Sequence, residues 1–357
     1  MNATETYLAY KVMQFGKPIE AVTETMGAPE GTEVVLATIR CGVCHTDLHL
    51  FDGYYDLGQG RRMELQERNI TPPLALGHEI VAQLLAAGPD ANLDGLEIGK
   101  NYLVSPWIGC GQCGNCRQGK ENLCLNSASL GVYQDGGYAH RLKLPDPKYL
   151  VDIEGLDITE AATLACSGLT AYSALKKSDA AKDDWLAMFG MGGLGTSALL
   201  IAKALGYQKI VAVDIDDRKL AAAQQLGASK TVNINAPEAS AILQGLEGGL
   251  LTVIDFVGSS VTSGLGTQVL SKGGKYIIIG LFGGDLNIAL PLVPIRAISI
   301  IGSYVGNLIE LRELIALAKQ GALGKIPVEL IAPEQINLAL ERLRSGTATA
   351  RQVIAFQ

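Results

Sequence analysis

The 357-residue chain has no uninterrupted apolar run near the ~20 residues that a membrane-spanning helix needs, which excludes a span of that kind. Basic runs are missing too, since 29 Lys and Arg stand against 36 Asp and Glu for a formal net charge of −7. A partner that presents a phosphate backbone, nucleic acid included, is therefore not expected. The opening "MNATETYLAYKVMQ" lacks a charged start followed by an apolar block, so no secretion signal is readable. Together these absences predict a soluble, cytoplasmic protein with no membrane partner. Internal repeats, low-complexity blocks and acidic tails do not occur.

What is present is a chain too long for one ordinary core, with 48% hydrophobic and 18% charged residues, which predicts two globular domains. Up to about Tyr149 short β-like runs (Glu33 to Ile39, Tyr102 to Val104) are broken by many Gly and Pro. From about Gly168 the texture changes. Apolar strands "WLAMFG", "KIVAVDID", "LTVIDFVG" and "GKYIIIGLFG" alternate with the helical patterns "TSALLIAKALG" and "DRKLAAAQQLGA". That alternation predicts βαβ units on a parallel sheet. Two amphipathic stretches and a last strand, "RQVIAFQ", follow Tyr304. The expected architecture is α/β: a doubly wound parallel sheet of the Rossmann kind over about 168–304, inserted into a loop-rich, mainly β domain made of 1–167 and 305–357.

"GMGGLG" places Gly190, Gly192 and Gly195 in the G-x-G-x-x-G spacing. Glycine is frequent here, 42 in all, so the hexapeptide alone is weak; its context strengthens it. It follows a strand, opens a helix, and is followed after ~20 residues by an acid, Asp214, ending the next strand. The three glycines allow a tight turn, a close approach to pyrophosphate, and close helix–strand packing. Asp214 would accept from the adenosine ribose and repel a 2′-phosphate, which favours NAD over NADP. Asp216 is the alternative ribose ligand.

The seven cysteines cluster as Cys41 and Cys44, then Cys110, Cys113, Cys116 and Cys124, then Cys166 alone. "CGQCGNCRQGKENLC" holds the middle four in C-x2-C-x2-C-x7-C spacing, which suits one tetrahedral ion with no open position, a structural zinc. An iron–sulfur cluster or two disulfides are the rivals. The proline expected after the last ligand of such a cluster is absent, and disulfides fit poorly in a reducing compartment. "CGVCHTDLH" and "LGHEIVA" supply Cys44 and His78, read as two ligands of a second ion. A lone cysteine such as Cys166 in "LACSGLTAY" is usually core filler. A catalytic zinc takes three protein ligands and keeps a position open, however, and Cys44, His78 and Cys166 form such a set.

These motifs, with "GSYVG" and the closing "RQV", resemble in order and over nearly the whole chain the zinc-dependent medium-chain alcohol dehydrogenases. The insert "YYDLGQGRRMELQERNI" is similar to the tetrameric archaeal and bacterial branch. The resemblance implies a GroES-like catalytic domain, two zinc ions per chain and NAD. Glu79 would sit behind the catalytic zinc and substitute as a ligand, and Asp47 would orient His78. Thr46 would bind the substrate oxygen and His49 would pass the proton on. His45 and Arg351 would contact the pyrophosphate; Gly193 and Leu194 in the loop, and Lys219 beyond it, would also touch the cofactor. Cys41 is not a ligand in this pattern. On the residues alone, His45 and His49 could be merely exposed, and Thr46 and Asp47 could cap a helix.

The expected reaction is reversible hydride transfer between a primary or secondary alcohol, aliphatic or aromatic, and NAD. Phe51, Tyr55 and Trp107 would form an aromatic slot, and no basic residue is evident for a phosphate or carboxylate. A polyol dehydrogenase of the same superfamily, with a glutamate as third ligand, and a non-catalytic NAD-binding scaffold are the other readings. The apolar "NIALPLVPIRAISIIGSYVG" suggests a subunit contact, and a homotetramer is the branch's expectation.

Overall fold

The structure is a computed structural model and describes residues 5–356; the first four residues, part of the stretch read for a secretion signal, and Gln357 lie outside it. Its centre is the strand Val34–Gly42, mostly apolar and buried along nearly its whole length. This strand pairs antiparallel with Glu79–Ala87, with Arg141–Leu144, and with the chain's last strand, Arg351–Ala355. Asn101–Val104 and Leu150–Asp152 extend the sheet on one side, and Val328–Ile331 on the other. Strands from before residue 153 and from after residue 327 thus share one sheet, and what lies between 152 and 328 is inserted into it.

That insertion holds a six-stranded, all-parallel sheet in the order Lys230–Asn233, Lys209–Asp214, Trp185–Phe189, Leu250–Asp255, Lys275–Ile278, Ser299–Gly302. In chain order this is 3-2-1-4-5-6, the doubly wound arrangement that opens a crevice beside the first strand's carboxyl end. Its central strands read "LAMF" and "VAV" because helices cover both faces and leave no polar side. The sequence pattern missed Lys230–Asn233 and Ser299–Gly302, the two edge strands. Each is four residues with exposed positions, too short to carry an apolar run. "YYDLGQGRRMELQERNI" forms a hairpin, Tyr54–Gly58 with Arg61–Glu64, closed by a 3-10 turn, Leu65–Arg68. No helix among the described residues is long and apolar enough to cross a membrane.

Buried polar groups fix the loops at the carboxyl ends of the parallel strands. Asp255 is fully buried; its Oδ1 accepts from the N–H groups of Val257 (2.8 Å) and Gly258 (3.0 Å), and its Oδ2 from the hydroxyl of buried Tyr276 (2.5 Å). Tyr276→Phe strips one partner from a buried carboxylate, so it should destabilise the protein by about 1–3 kcal/mol. Chemical denaturation of the two proteins side by side measures this, with a lower midpoint expected for the variant.

Candidate active site

The helix His45–Asp52 begins with a capping box: the Cys44 sulfur accepts from the Thr46 N–H, and the Asp47 carboxylate accepts from the Cys44 N–H (2.9 Å). Asp47 is completely buried and has further partners. The Gly77 N–H (3.1 Å) and the Tyr138 hydroxyl (3.2 Å) donate to it, and His78 Nδ1 lies 3.4 Å away. Asp47 is thus both helix cap and neighbour of His78, so the two sequence-based alternatives are joined in one residue. His78 is fully buried, and among the described residues neither ring nitrogen has a hydrogen-bond partner, Nδ1 having only the Asp47 carboxylate nearby. With Nδ1 turned to Asp47, Nε2 is left for the sulfurs.

Cys166 arrives from the other end of the domain on a π-helical turn, Leu164–Gly168, a wider turn that often marks functional positions. The ligand atoms of Cys44, His78 and Cys166 lie within 4.8 Å of one another. Two thiols and an orphaned imidazole nitrogen in a buried cluster are the donor set zinc prefers, so the residues fit the metal. A hydrogen bond from Cys166, with His78 and Arg351 beyond it, holds the Cys44 thiol well below its ordinary range, while Cys166 is held well above. Cys41 is buried beside this cluster but outside it.

Glu79 is not drawn into the ligand set. Its Oε1 accepts from the Ser167 N–H (3.2 Å), its Oε2 pairs with Arg351, and a Cβ on Gly42 would stand 2.0 Å from Oε2. Burial pushes its carboxyl up to about 7 against the pull of Arg351. Arg351, read from the sequence as a pyrophosphate contact, directs its guanidinium to Glu79 while its stem packs against Gly193. Its Nε is buried without a partner, and the residue lines the cleft.

The second cluster holds Cys110, Cys113, Cys116 and Cys124 within 4.8 Å of one another. Neighbouring sulfurs sit at 3.4, 3.8 and 4.0 Å, far beyond the length of a disulfide bond and suited to one ion between them. Backbone N–H groups of Gln112 and Cys113 bring the Cys110 thiol down to about 6.

The glycine loop borders a cleft of about 2280 Å³ that also reaches Cys44 and Cys166. Gly190 adopts φ +90°, which disfavours any side chain. A Cβ on Gly192 would meet nothing within 4 Å, leaving room for a ligand, whereas one on Gly195 would stand 1.9 Å from the Gly190 carbonyl oxygen. Leu194 and exposed Lys219 line the same cleft. Asp214 accepts from the N–H groups of Met191 (2.6 Å), Ile215 (2.8 Å) and Asp216 (3.0 Å). An ionised carboxylate has about four acceptor sites, so roughly one remains for a ribose hydroxyl. Asp216 instead caps the helix Asp217–Gln225 and pairs with Arg218, which brings its carboxyl down to about 2.

At the metal end, Thr46 and His49 are half-buried in the cleft and His45 is exposed there, 6.4 Å from the His49 ring. The His49 ring lies 5.0 Å from Tyr55, and Trp107 lies 5.5 Å from His78 and 6.1 Å from Tyr304. Phe51 corrects the expectation of an aromatic trio. Two positions after His49 it faces another side of the helix, under the Arg344 guanidinium, and it does not line the cleft. Tyr304, absent from the sequence reading as a wall residue, takes part instead. A second correction is Arg68: a basic residue does line this cavity.

Two family models match the chain: an alcohol dehydrogenase GroES-like domain over residues 30–155 and a zinc-binding dehydrogenase domain over residues 193–320. An NAD-dependent alcohol dehydrogenase of Sulfurisphaera tokodaii is 34% identical over 351 residues, 97% of this chain and 99% of that protein. The crystal structure of the alcohol dehydrogenase from Aeropyrum pernix superposes with a TM-score of 0.87 at 31% identity, over 98% of this chain and 99% of that one. Acetophenone reductase from Geotrichum candidum, solved with NAD, gives 0.84 at 28% identity, over 98% and 97%.

Replacement of Gly195 by alanine drives a methyl group into the Gly190 carbonyl and displaces the loop. Gly195→Ala should therefore weaken NADH binding at least tenfold, read by titrating the nucleotide's fluorescence.

Proposed function

We propose that this chain, which belongs to the zinc-dependent medium-chain alcohol dehydrogenase family, interconverts primary or secondary alcohols and their carbonyl compounds with NAD. The observation that carries the reading is the convergence of Cys44, His78 and Cys166 on the same cleft as the glycine loop. Cys44, His78 and Cys166 hold the catalytic zinc, and Cys110, Cys113, Cys116 and Cys124 the structural one. Bound zinc supplies the Lewis acidity that makes an alcohol hydroxyl acidic near neutrality, and bound NAD supplies the hydride acceptor.

The chain's own residues do the rest. The Thr46 hydroxyl holds the substrate hydroxyl by a hydrogen bond, and the His49 ring takes the proton toward solvent. Burial, then neighbouring His45, lowers the His49 pKa, which favours the neutral ring that can accept a proton. Tyr55, Trp107 and Tyr304 exclude water from the reacting carbon and orient it. Asp214 takes a ribose hydroxyl, and one of the two nearby cations, Arg218, is tied to Asp216 at 2.8 Å, which leaves Lys219 alone beside it. The exposed apolar side chains of Leu290 (79%) and Ile295 (64%) offer a face for assembly, in keeping with a cytoplasmic homotetramer.

Cys166→Ser should lower alcohol oxidation roughly a hundredfold or more and lower bound zinc from two to one per chain, with NADH binding retained. Near-full activity would remove Cys166 from the site. Asp214→Asn, which keeps an acceptor oxygen for the loop, should shrink the NAD over NADP preference in kcat/KM roughly tenfold. A preference equal to the parent's would refute the ribose role.

A further inference from the structure

Arg68 ends the 3-10 turn that closes the hairpin Tyr54–Glu64, and the hydrogen bond from Leu65 N–H to Gly53 O (2.9 Å) anchors that turn to the end of the helix bearing Thr46 and His49. The turn folds Arg68 back into the cleft, half-buried, with its Cζ 5.7 Å from the centre of the Tyr55 ring. One guanidinium nitrogen donates to the Tyr133 hydroxyl (3.1 Å). No carboxylate among the described residues forms an ion pair with Arg68, although arginines 61, 141, 218, 342, 344 and 351 each have one.

The surroundings of Arg68 are the substrate slot. Tyr55 links it to His49, whose ring is 5.0 Å from that of Tyr55. Tyr304, 6.1 Å from Trp107, lies within electrostatic reach of both Arg68 and Cys166. Burial first, and Tyr55 next, push its phenol up; Arg68 pulls it down, and Cys166 adds to the rise. One cavity therefore holds the Cys44 and Cys166 sulfurs, aromatic walls, and a guanidinium that has phenols but, among the described residues, no carboxylate for a partner. A guanidinium with free donors matches the two oxygens of a carboxylate in a fork, while a phosphate dianion would bring two charges to a single cation.

We propose, on the basis of the dehydrogenase reading above, that Arg68 receives a carboxylate at the far end of the substrate, so that the preferred alcohols are hydroxy acids with an apolar spacer. The carbinol C–H bond breaks with its electron pair going to NAD⁺, the hydroxyl proton leaves through His49, and the carbonyl forms. The carboxylate stays ionised on Arg68 and takes no part in the bond changes. The product is the corresponding oxo acid, and the reverse reaction reduces it.

The test compares kcat/KM with NAD for straight-chain ω-hydroxy acids of about four to eight carbons and for 1-alkanols of equal length. Parent enzyme, Arg68→Gln and Arg68→Lys are assayed, all loaded with zinc. The expected result is a preference for at least one hydroxy acid over its alkanol, cut roughly tenfold or more in Arg68→Gln and less in Arg68→Lys. Alkanol oxidation with an acid-to-alkanol ratio unmoved by Arg68→Gln overturns this proposal and leaves the dehydrogenase reading in place. Failure of the zinc-loaded parent to form NADH from any alcohol overturns the dehydrogenase reading itself. A binding measurement on the parent needs no variant to fold: tryptophan fluorescence is titrated with the same pairs in the presence of NADH, where no oxidation occurs. Tighter binding of the hydroxy acid, weakened by added salt, supports the role of Arg68; binding no tighter than the alkanol overturns it.

Discussion

One buried carboxylate, Asp47, holds the metal site in shape. It has no exposure to solvent, and leaving such a charge without partners would cost several kcal/mol. Its partners are the Cys44 N–H, the Gly77 N–H, the Tyr138 hydroxyl and the His78 ring. One of these belongs to Cys44, two to the segment that carries the imidazole, and the fourth, Tyr138, packs against Gly77 of that segment. Satisfying Asp47 therefore fixes Cys44 and His78 relative to each other without any metal. The same contact starts the helix that carries Thr46 and His49, so the proton path proposed above and the cysteine–histidine cluster share one anchor.

A second buried pair joins this anchor to the nucleotide loop. Glu79 follows His78 in sequence and faces Arg351, whose stem fills the space beside Gly193. Arg351 opens the last strand, which pairs with the strand Val34–Gly42 leading to Cys44. Through that pairing the last strand is joined to the segment that leads to Cys44. The Ser167 N–H on Glu79 brings in the turn bearing Cys166 as well. Glu79 is thus more fully engaged as a brace than as a metal ligand, because moving it toward the ion would break contacts with both Arg351 and Ser167.

The parts legible in the sequence are those whose signal is local. The glycine loop, the four-cysteine spacing and the strand–helix alternation each fall within a short window, and the structure has all of them. The pairing of Cys44 with His78 and Cys166 was legible through residue chemistry: a cysteine–histidine set with one position open has few other uses. Phe51 was misplaced because membership of an apolar stretch does not reveal which side of a short helix faces the cleft. Arg68 was invisible for a different reason. It sits in a charged, turn-rich insert that reads as solvated surface, and only the hairpin's return over Tyr55 takes it inside. Spacing along the chain carries no record of that return.

The proposed slot depends on contacts from both domains, and these link it to the four-cysteine lobe. Asn122, within the four-cysteine lobe, donates to the Tyr304 carbonyl at 3.0 Å. Lys148 pairs with Glu121 of the same lobe at 2.9 Å, and its carbonyl accepts from Arg312 on the helix that follows Tyr304. Across the cleft, Arg61 of the hairpin pairs with Asp285 of the nucleotide-binding domain at 2.6 Å, close to where Gly58 and Gly284 touch. The wall that Tyr304 provides is therefore held by a lobe whose own shape depends on four thiolates, and the wall that Tyr55 and Arg68 provide is held by a hairpin docked on the opposite domain. A shift of either domain would alter the distance between Tyr304 and Arg68, so in the proposed reaction the length of substrate admitted would depend on domain docking as well as on the residues lining the slot.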